Sequence, residues 1–459
     1  MSNEIMDNFD MDELVEELLQ LVEEKKYRQL KAALLELNEV DIALFIEELE
    51  PDRTVVVFRM LPKSLGAAVF AELEIEEQEH IINRITDKEL SEIVEDLYVD
   101  DAVDMLEELP ATVVRRVLEN TKPETRKVIN QFLNYPENSA GSIMTAEYIG
   151  LKRNMTVEES FAYIRKHGID SEMIYTCFVM GEKRQLEGVV TVKDLLMHPY
   201  DALVGDIMED HVIKASTAMD QEEVVDTMIK YDLLSMPVVD SEDRLVGIIT
   251  VDDVMDVMEE EATEDIEKMA AMLPSEKPYL KTGVFELAKN RIPWLLFLML
   301  SSTLSGAILE HYESAFAVIP LLVSFTPMLM NTGGNSGSQS SAMIIRGMSL
   351  GEIEPKDILQ VIWKEIRVGF IAGSILALAN FARLMIQYPG NTMICLVVVM
   401  SVFVTVVIAK TIGCTLPIAA KVLKMDPAIM AGPLITTIVD AVSLIVYFNL
   451  ACMLLDMSV

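Results

Sequence analysis

Charge is divided so unevenly along this chain that its two parts must fold in different solvents. All of the formal net charge of −37 lies in residues 1–290, which hold 28 basic and 65 acidic residues, whereas residues 291–459 hold nine of each. The neutral part is built of long uncharged stretches: Ile292–Leu309, Ser314–Ile345, Val368–Ala382, Leu384–Ala409 and, with one acid, Pro427–Leu455. About 20 apolar residues let a helix cross the hydrocarbon core of a bilayer. The second stretch is interrupted by Pro and Gly, and Pro389-Gly-Asn makes a turn between the third and fourth spans. The expectation is a five-helix domain embedded in a lipid bilayer, with the two termini on opposite sides.

Basic residues orient it. Lys281, Lys289 and Arg291, then Arg346, Lys356, Lys364 and Arg367, then Lys421 and Lys424 flank alternate span ends. The intervening loops, Glu310–Glu313 and Tyr388–Thr392, have no Lys or Arg. Positive charge stays inside, so the acidic part is expected in the cytoplasm and Val459 outside a multi-pass plasma-membrane protein. Met1–Asp7 is acidic and lacks the apolar core of a secretory signal. The four cysteines, Cys177, Cys395, Cys414 and Cys452, match no metal or redox spacing. An acidic field repels nucleic acid and attracts cations.

Residues 1–137 read as an all-α array. Apolar residues recur at three- and four-residue steps, as in Leu14-Val15-Glu-Glu-Leu18-Leu19 and Ile93-Val94-Glu-Asp-Leu97, and Pro51, Pro62, Pro110 and Pro123 punctuate the helices. One helix every 17–20 residues suggests a superhelix of helix pairs. A clearer repeat follows. Leu186-Glu-Gly188-Val-Val-Thr191-Val-Lys-Asp194 returns 59 residues later as Leu245-Val-Gly247-Ile-Ile-Thr250-Val-Asp-Asp253. Each copy has a Met-bearing lead-in, Ile143-Met144-Thr145 or Ile207-Met208-Glu209, and an amphipathic helix. Helix, two strands, then a Gly-h-h-Thr-x-x-Asp step into a helix resembles the α/β CBS domain; two in tandem occupy 138–200 and 201–258. Thr191, Asp194, Thr250 and Asp253 can serve as helix caps, the reading preferred for Thr191 and Asp194, or as contacts to a nucleotide's ribose and phosphate.

An acidic connecting helix, 259–285, leads to the membrane domain, 286–459. Asp253, Asp256 and Glu260 share one helical face, and Glu261, Glu264 and Asp265 another. Like charges at this spacing repel, and a hard divalent cation such as Mg2+ relieves them. Two membrane motifs carry chemistry. In Asn331-Thr-Gly333-Gly334-Asn335-Ser-Gly337-Ser-Gln339, glycine and asparagine at membrane depth are expected to line a pathway with unpaired backbone oxygens, the alternative being close helix packing through small residues. In Asp426-Pro…Gly432-Pro433…Thr436-Thr437…Asp440, Asp440 is an acid in an apolar span, with Thr436 one turn before it. Such an acid is functional by default. Arg383 can snorkel to the outer interface; Lys410 has no reading from sequence.

Taken together, these features resemble the MgtE-type magnesium transporter family over essentially the whole chain. The resemblance implies a homodimeric, Mg2+-gated channel or transporter, not an enzyme, that takes up Mg2+. Asp440 holds hydrated Mg2+, Asn335 lies in the matching motif and Asp426 at the cytoplasmic mouth. Sensor acids fall on Asp220, Glu222, Asp232, Asp253, Asp256, Glu261, Glu264 and Asp265, with Asp100 and Asp104 from the array. Bound Mg2+ offsets their repulsion and closes the gate; ATP at the CBS pair is a further modulator. Competing readings are a CBS-regulated carrier or exporter of another divalent cation, and a nucleotide-sensing membrane receptor. A pathway offering only oxygen ligands favours Mg2+ over metals that prefer nitrogen or sulfur.

Overall fold

The computed structural model describes residues 11–275, 279–280, 282–313 and 319–456. Met1–Asp7, Lys281, Ser314 and Val459, used in the sequence reading, lie outside them. The chain divides into two compact units, Met1–Met258 and Glu259–Val459.

The first unit begins with ten helices among the described residues, α1 (Met11–Glu23) to α10 (Pro123–Phe132). Their starts are set locally. Pro51 and Pro123 occupy first-turn positions where a missing N–H costs nothing, and Thr86 and Glu89 form a reciprocal capping box. Helices two apart pack together: α3 (Glu39–Glu47) on α5 (Lys63–Ala71), α5 on α7 (Asp87–Asp96), α7 on α9 (Ala111–Asn120). That alternation is the superhelical stacking the repeat predicts, with Phe45, Phe70, Ile81 and Ile82 fully buried in it.

Two copies of one α/β module follow. In the first, β1 (Tyr148–Lys152) runs parallel to β2 (Met173–Met180), which pairs antiparallel with β3 (Leu186–Thr191). In the second, β4 (Ala215–Ser216), β5 (Ser235–Val239) and β6 (Leu245–Thr250) repeat the order. Register is repeated too: Thr176 faces Thr191 and Val179 faces Gly188, as Ser235 faces Thr250 and Val238 faces Gly247. The helices are α11 (Val157–His167), α12 (Val192–Met197), α13 (Val204–Ile207), α14 (Gln221–Lys230) and α15 (Val251–Met269).

The lead-ins cross between copies. Thr145 bridges to Ile248 and Glu209 to Val189. A Cβ on Gly247 would lie 2.6 Å from Thr145 O and 2.7 Å from Met144 Sδ, and one on Gly188 2.7 Å from Glu209 O and 2.8 Å from Met208 Sδ. Each glycine therefore makes room for the other copy's lead-in. The pair is interleaved, which the linear repeat does not reveal.

The second unit holds five long helices among the described residues: α16 (Val284–His311), α17 (Thr326–Ser349), α18 (Ile358–Gln387), α19 (Thr392–Val422) and α20 (Gly432–Leu455). At 1.5 Å per residue they are about 36–47 Å long, enough for a hydrocarbon core of roughly 30 Å. Four are long and apolar enough to cross a membrane; α17, with its Gly, Ser and Asn, is not among them. It packs instead against α19 and α20.

The expected irregular backbone in the α17 motif is corrected: Asn331–Gln339 is regular helix. Its glycines serve close packing. A Cβ on Gly333 would fall 2.6 Å from Ser443 Oγ, and one on Gly337 2.8 Å from Ile435 Cγ2; one on Gly413 of α19 would collide with the Gly337 carbonyl. Without side chains there, α17 and α19 meet backbone to backbone. Gly413→Ala is expected to destabilise the detergent-solubilised protein by about 1–3 kcal/mol through overpacking, read as a lower melting temperature; an unchanged melt contradicts this packing.

Candidate cation pathway and acidic control sites

α17 turns its small residues inward and leaves Asn331, Asn335 and Gln339 exposed, one turn apart along one face. Asn335 Nδ2 donates to Asn331 Oδ1 at 3.1 Å. Next to this stripe is α20. The Thr436 methyl lies 2.8 Å from where a Gly334 Cβ would be, and Thr436 Oγ1 is 3.4 Å from Ser338 Oγ. Thr436 itself donates to Gly432 O at 2.8 Å. One turn on is Asp440, whose Oδ1 is buried without a hydrogen-bond partner. A carboxylate oxygen left orphaned among apolar helices is costly and suits a cation or its bound water. The Thr436 hydroxyl one turn before it, and the amides of α17, are the kinds of oxygen donor that a hydrated hard cation prefers.

Ahead of α20, before the short Pro427–Met430 turn, Asp426 has two partners. Its Oδ1 accepts from Ala428 N–H at 2.7 Å, capping the short Pro427–Met430 turn, and its Oδ2 meets Lys268 Nζ at 2.7 Å. Lys268, in the last turn of α15, also meets Glu264 Oε1 at 2.5 Å. Burial opposes the lysine's charge, but hydrogen bonds to Asp426 and Glu264 prevail and raise its pKa. Asp265 is raised by burial first, then by the like charge of Asp426, with Glu261 and Glu264 adding to it. Asp426 thus joins Glu261, Glu264 and Asp265, predicted as one helical face, in a single electrostatic environment around Lys268.

A second acidic centre lies in the first unit. Asp100 and Asp101 open α8 (Val99–Glu108), Glu147 precedes β1, Glu172 precedes β2, and Asp252 and Asp253 open α15. Asp100 is 8 % exposed and its Oδ1 has no partner; Glu172 Oε2 is likewise buried and unpartnered. Burial, then Asp101 and Asp253, drive the Asp100 pKa well above its usual range. Burial with Asp253, Asp252 and Asp101 pushes Glu172 to about 8, and burial with Asp253 and Glu72 pushes Asp101 to about 6. The N-terminal dipoles of α8 and α15 offset only part of this strain. Asp256 joins through Glu72, which is raised by burial, then by Glu39 and Asp256.

The remaining predicted residues lie on α8, at α14 and at the two Thr-x-x-Asp steps. Asp104 is exposed one turn along α8 from buried Asp100, and adjacent Asp101 shares the electrostatic environment of Asp100. Asp220 caps α14 by accepting from Glu222 N–H at 3.0 Å, and Asp232 is exposed in a left-handed conformation just past that helix. Thr191 and Asp194 form a reciprocal capping box; Thr250 N–H and Oγ1 both donate to Asp253 Oδ2, at 3.0 and 2.5 Å. The helix-cap reading is realised at both steps. Among the described residues no three His, Cys, Asp or Glu side chains converge closely enough to hold a bare metal ion.

Sequence reasoning missed Asp101, Glu147, Glu172 and Lys268. No spacing signal links Glu172 to Asp100, because only the packing of the array on the paired modules brings them together.

A family model described as "Divalent cation transporter" matches residues 326–450, one described as "MgtE intracellular N domain" matches 37–138, and the CBS domain model matches 140–201 and 204–260. The chain is similar to the magnesium transporter MgtE of Thermus thermophilus, 35 % identical over 97 % of this chain and 99 % of that protein. It is 33 % identical to the Bacillus subtilis protein of the same name, over 97 % and 98 %. Among solved structures, the cytosolic domain of the Mg2+ channel MgtE in complex with ATP is 37 % identical, with a TM-score of 0.50 over 53 % of this chain and 99 % of that one. The soluble part of a magnesium transporter is 28 % identical, with a TM-score of 0.53 over 55 % and 100 %. A relationship that runs through array, paired modules and apolar helices alike makes this chain a member of the MgtE family of magnesium transporters, a transporter and not an enzyme.

Proposed function

We propose that this chain takes up Mg2+ through a pathway centred on Asp440 and that cytosolic Mg2+ closes it by binding the acidic centres. The observation that carries this reading is the partnerless carboxylate oxygen of Asp440, one turn from Thr436 on the helix that packs against α17 with its exposed Asn331, Asn335 and Gln339. Mg2+ keeps much of its water and suits such a site through outer-sphere contacts. Flux into proteoliposomes, comparing Mg2+ with Mn2+ and varying internal Mg2+, tests it; absence of Mg2+ flux sinks it.

The functional division is residues 1–137, 138–200, 201–258, 259–285 and 286–459. The protein works as a homodimer. A polar stripe exposed in one chain at lipid depth calls for a polar partner or water, and Tyr175, Leu196, Met197 and Tyr200 leave the first CBS module apolar and exposed. The first unit faces the cytoplasm and the C-terminus lies outside. ATP modulates transport at Thr191, Asp194, Thr250 and Asp253, by likeness to the ATP-bound cytosolic domain; repeating the flux assay with internal ATP checks this.

Lys268 restrains the connecting helix. Its tie to Asp426 favours the closed state, so Lys268→Met is expected to raise flux at inhibiting internal Mg2+. For a partly exposed pair worth about 1 kcal/mol the rise is roughly fivefold. Unchanged inhibition rejects the tie.

Sensor acidity also gives a pH signature. Folded Glu172 and Asp101 hold protons that the unfolded chain releases, so stability falls as pH rises, between the ordinary 4.5 and about 8 for Glu172 and between 3.8 and about 6 for Asp101. Without Mg2+, the melting temperature of the full chain is expected to drop between pH 5 and 8. Saturating Mg2+ flattens the drop by taking the protons' place. A Mg2+-free melt independent of pH contradicts the cluster.

A further inference from the structure

Lys410 lies mid-way along apolar α19 and is only 6 % exposed. Its Nζ donates to Ser340 Oγ of α17 at 3.3 Å, and the same hydroxyl donates to Glu365 Oε2 of α18 at 2.6 Å. The single Ser340 proton also has Ser336 O within 3.4 Å, but Glu365 Oε2 is the nearer, charged acceptor, and with the proton directed there three helices are joined by one directional chain. Space for it is built in. A Cβ on Gly369, one turn beyond Glu365, would lie 3.6 Å from Lys410 Cδ and 3.1 Å from Val407 Cα. Gly413 and Gly337, where the α19 and α17 backbones meet, lie one turn from Lys410 and Ser340.

We propose that Lys410, Ser340 and Glu365 form a clamp that fixes the rotation of α17 and thereby positions its Asn335 face for Mg2+; this rests on the pathway reading above. Ser340 is on the buried side of α17 and Asn331, Asn335 and Gln339 are on the exposed side. A shift of α17 by one residue turns it about 100°, enough to remove the amides from the pathway. Apolar side chains hold helices together without desolvating charge. A hydrogen-bonded charge chain adds a directional stop that they lack. The three side chains are positioning residues: the ion meets the face they orient.

The test uses the full chain in proteoliposomes with an entrapped Mg2+ indicator, reading the half-saturating external Mg2+. Lys410→Met leaves half-buried Glu365, and Glu365→Gln leaves buried Lys410, without an oppositely charged partner, and each is expected to raise that concentration about tenfold. The double variant Lys410→Met/Glu365→Gln removes both charges and is expected to lie within about threefold of the parent. Ser340→Ala keeps both charges, breaks the bridge and raises the value several-fold; it decides the matter if the single charge variants fail to insert. A purely structural role would lower the amount of active protein and leave half-saturation unchanged, and that result overturns the clamp. So does a double variant as impaired as the two singles combined. Asp440→Asn measured in parallel separates the failures. Normal flux there rejects the pathway itself, whereas lost flux there with unchanged half-saturation in Lys410→Met and Ser340→Ala rejects only the clamp.

Discussion

Asp440→Asn is expected to insert normally and to lose Mg2+ uptake. The substitution preserves shape and removes the charge of a carboxylate whose Oδ1 has no protein partner. Since no hydrogen bond to that oxygen is broken, the helix should keep its packing, and deleting an intramembrane charge favours insertion. What is lost is the interaction with the ion. A charge-assisted contact of about 1.5–3 kcal/mol corresponds to a fall of roughly 10- to 150-fold in site affinity. Flux into proteoliposomes at limiting Mg2+ reads it. Parent-like flux removes Asp440 from the pathway and, with it, the best reason for placing the pathway along α17 and α20.

The second large effect concerns closure. Glu261→Gln, Glu264→Gln and Asp265→Asn together should leave the transporter active at internal Mg2+ that silences the parent. These acids crowd around Lys268 and Asp426, and Asp265 is already pushed up by burial and by Asp426. On the proposed mechanism their repulsion works against the closed arrangement in the unliganded state, and bound Mg2+ relieves it. Neutralising them removes the ion's differential hold on that arrangement, and a ligand without differential affinity shifts nothing. Three contacts of about 1–1.5 kcal/mol each would move the inhibitory Mg2+ concentration by more than roughly 100-fold. Internal Mg2+ titrated against flux provides the measurement, and an inhibition curve that does not move rules out these acids as sensors. If it moves only partly, the centre formed by Asp100, Asp101, Glu172 and Asp253 carries the rest, because its orphaned oxygens lie in the other unit.

The two acidic centres show where a linear reading stops. Glu261, Glu264 and Asp265 were legible because a helix repeats every 3.6 residues and spacing alone puts them on one face. Asp100 and Asp104 were named by the same logic: the helix exists, Asp100 is buried in it, Asp104 one turn on is exposed, and adjacent Asp101 shares the environment of Asp100. Burial on a helix depends on what packs against it. Glu172 had no local signal at all. The membrane motif was recognised, but its glycines do a different job: they bring α17 and α19 into backbone contact instead of interrupting the helix.

What the sequence determined by itself was the division between a charged and an apolar half, the repeating helices, the 59-residue duplication and the singular acid Asp440. Each is a matter of composition or of period along the chain, set by solvent and by helix and strand geometry. The tertiary structure alone decided the interleaving of the two CBS lead-ins, the gathering of Asp101, Glu172 and Asp253, the tie from Lys268 to Asp426, and the partners of Lys410. Those are contacts between residues tens to hundreds of positions apart. Burial and Coulomb energy act through space, so they exist only once the chain has folded.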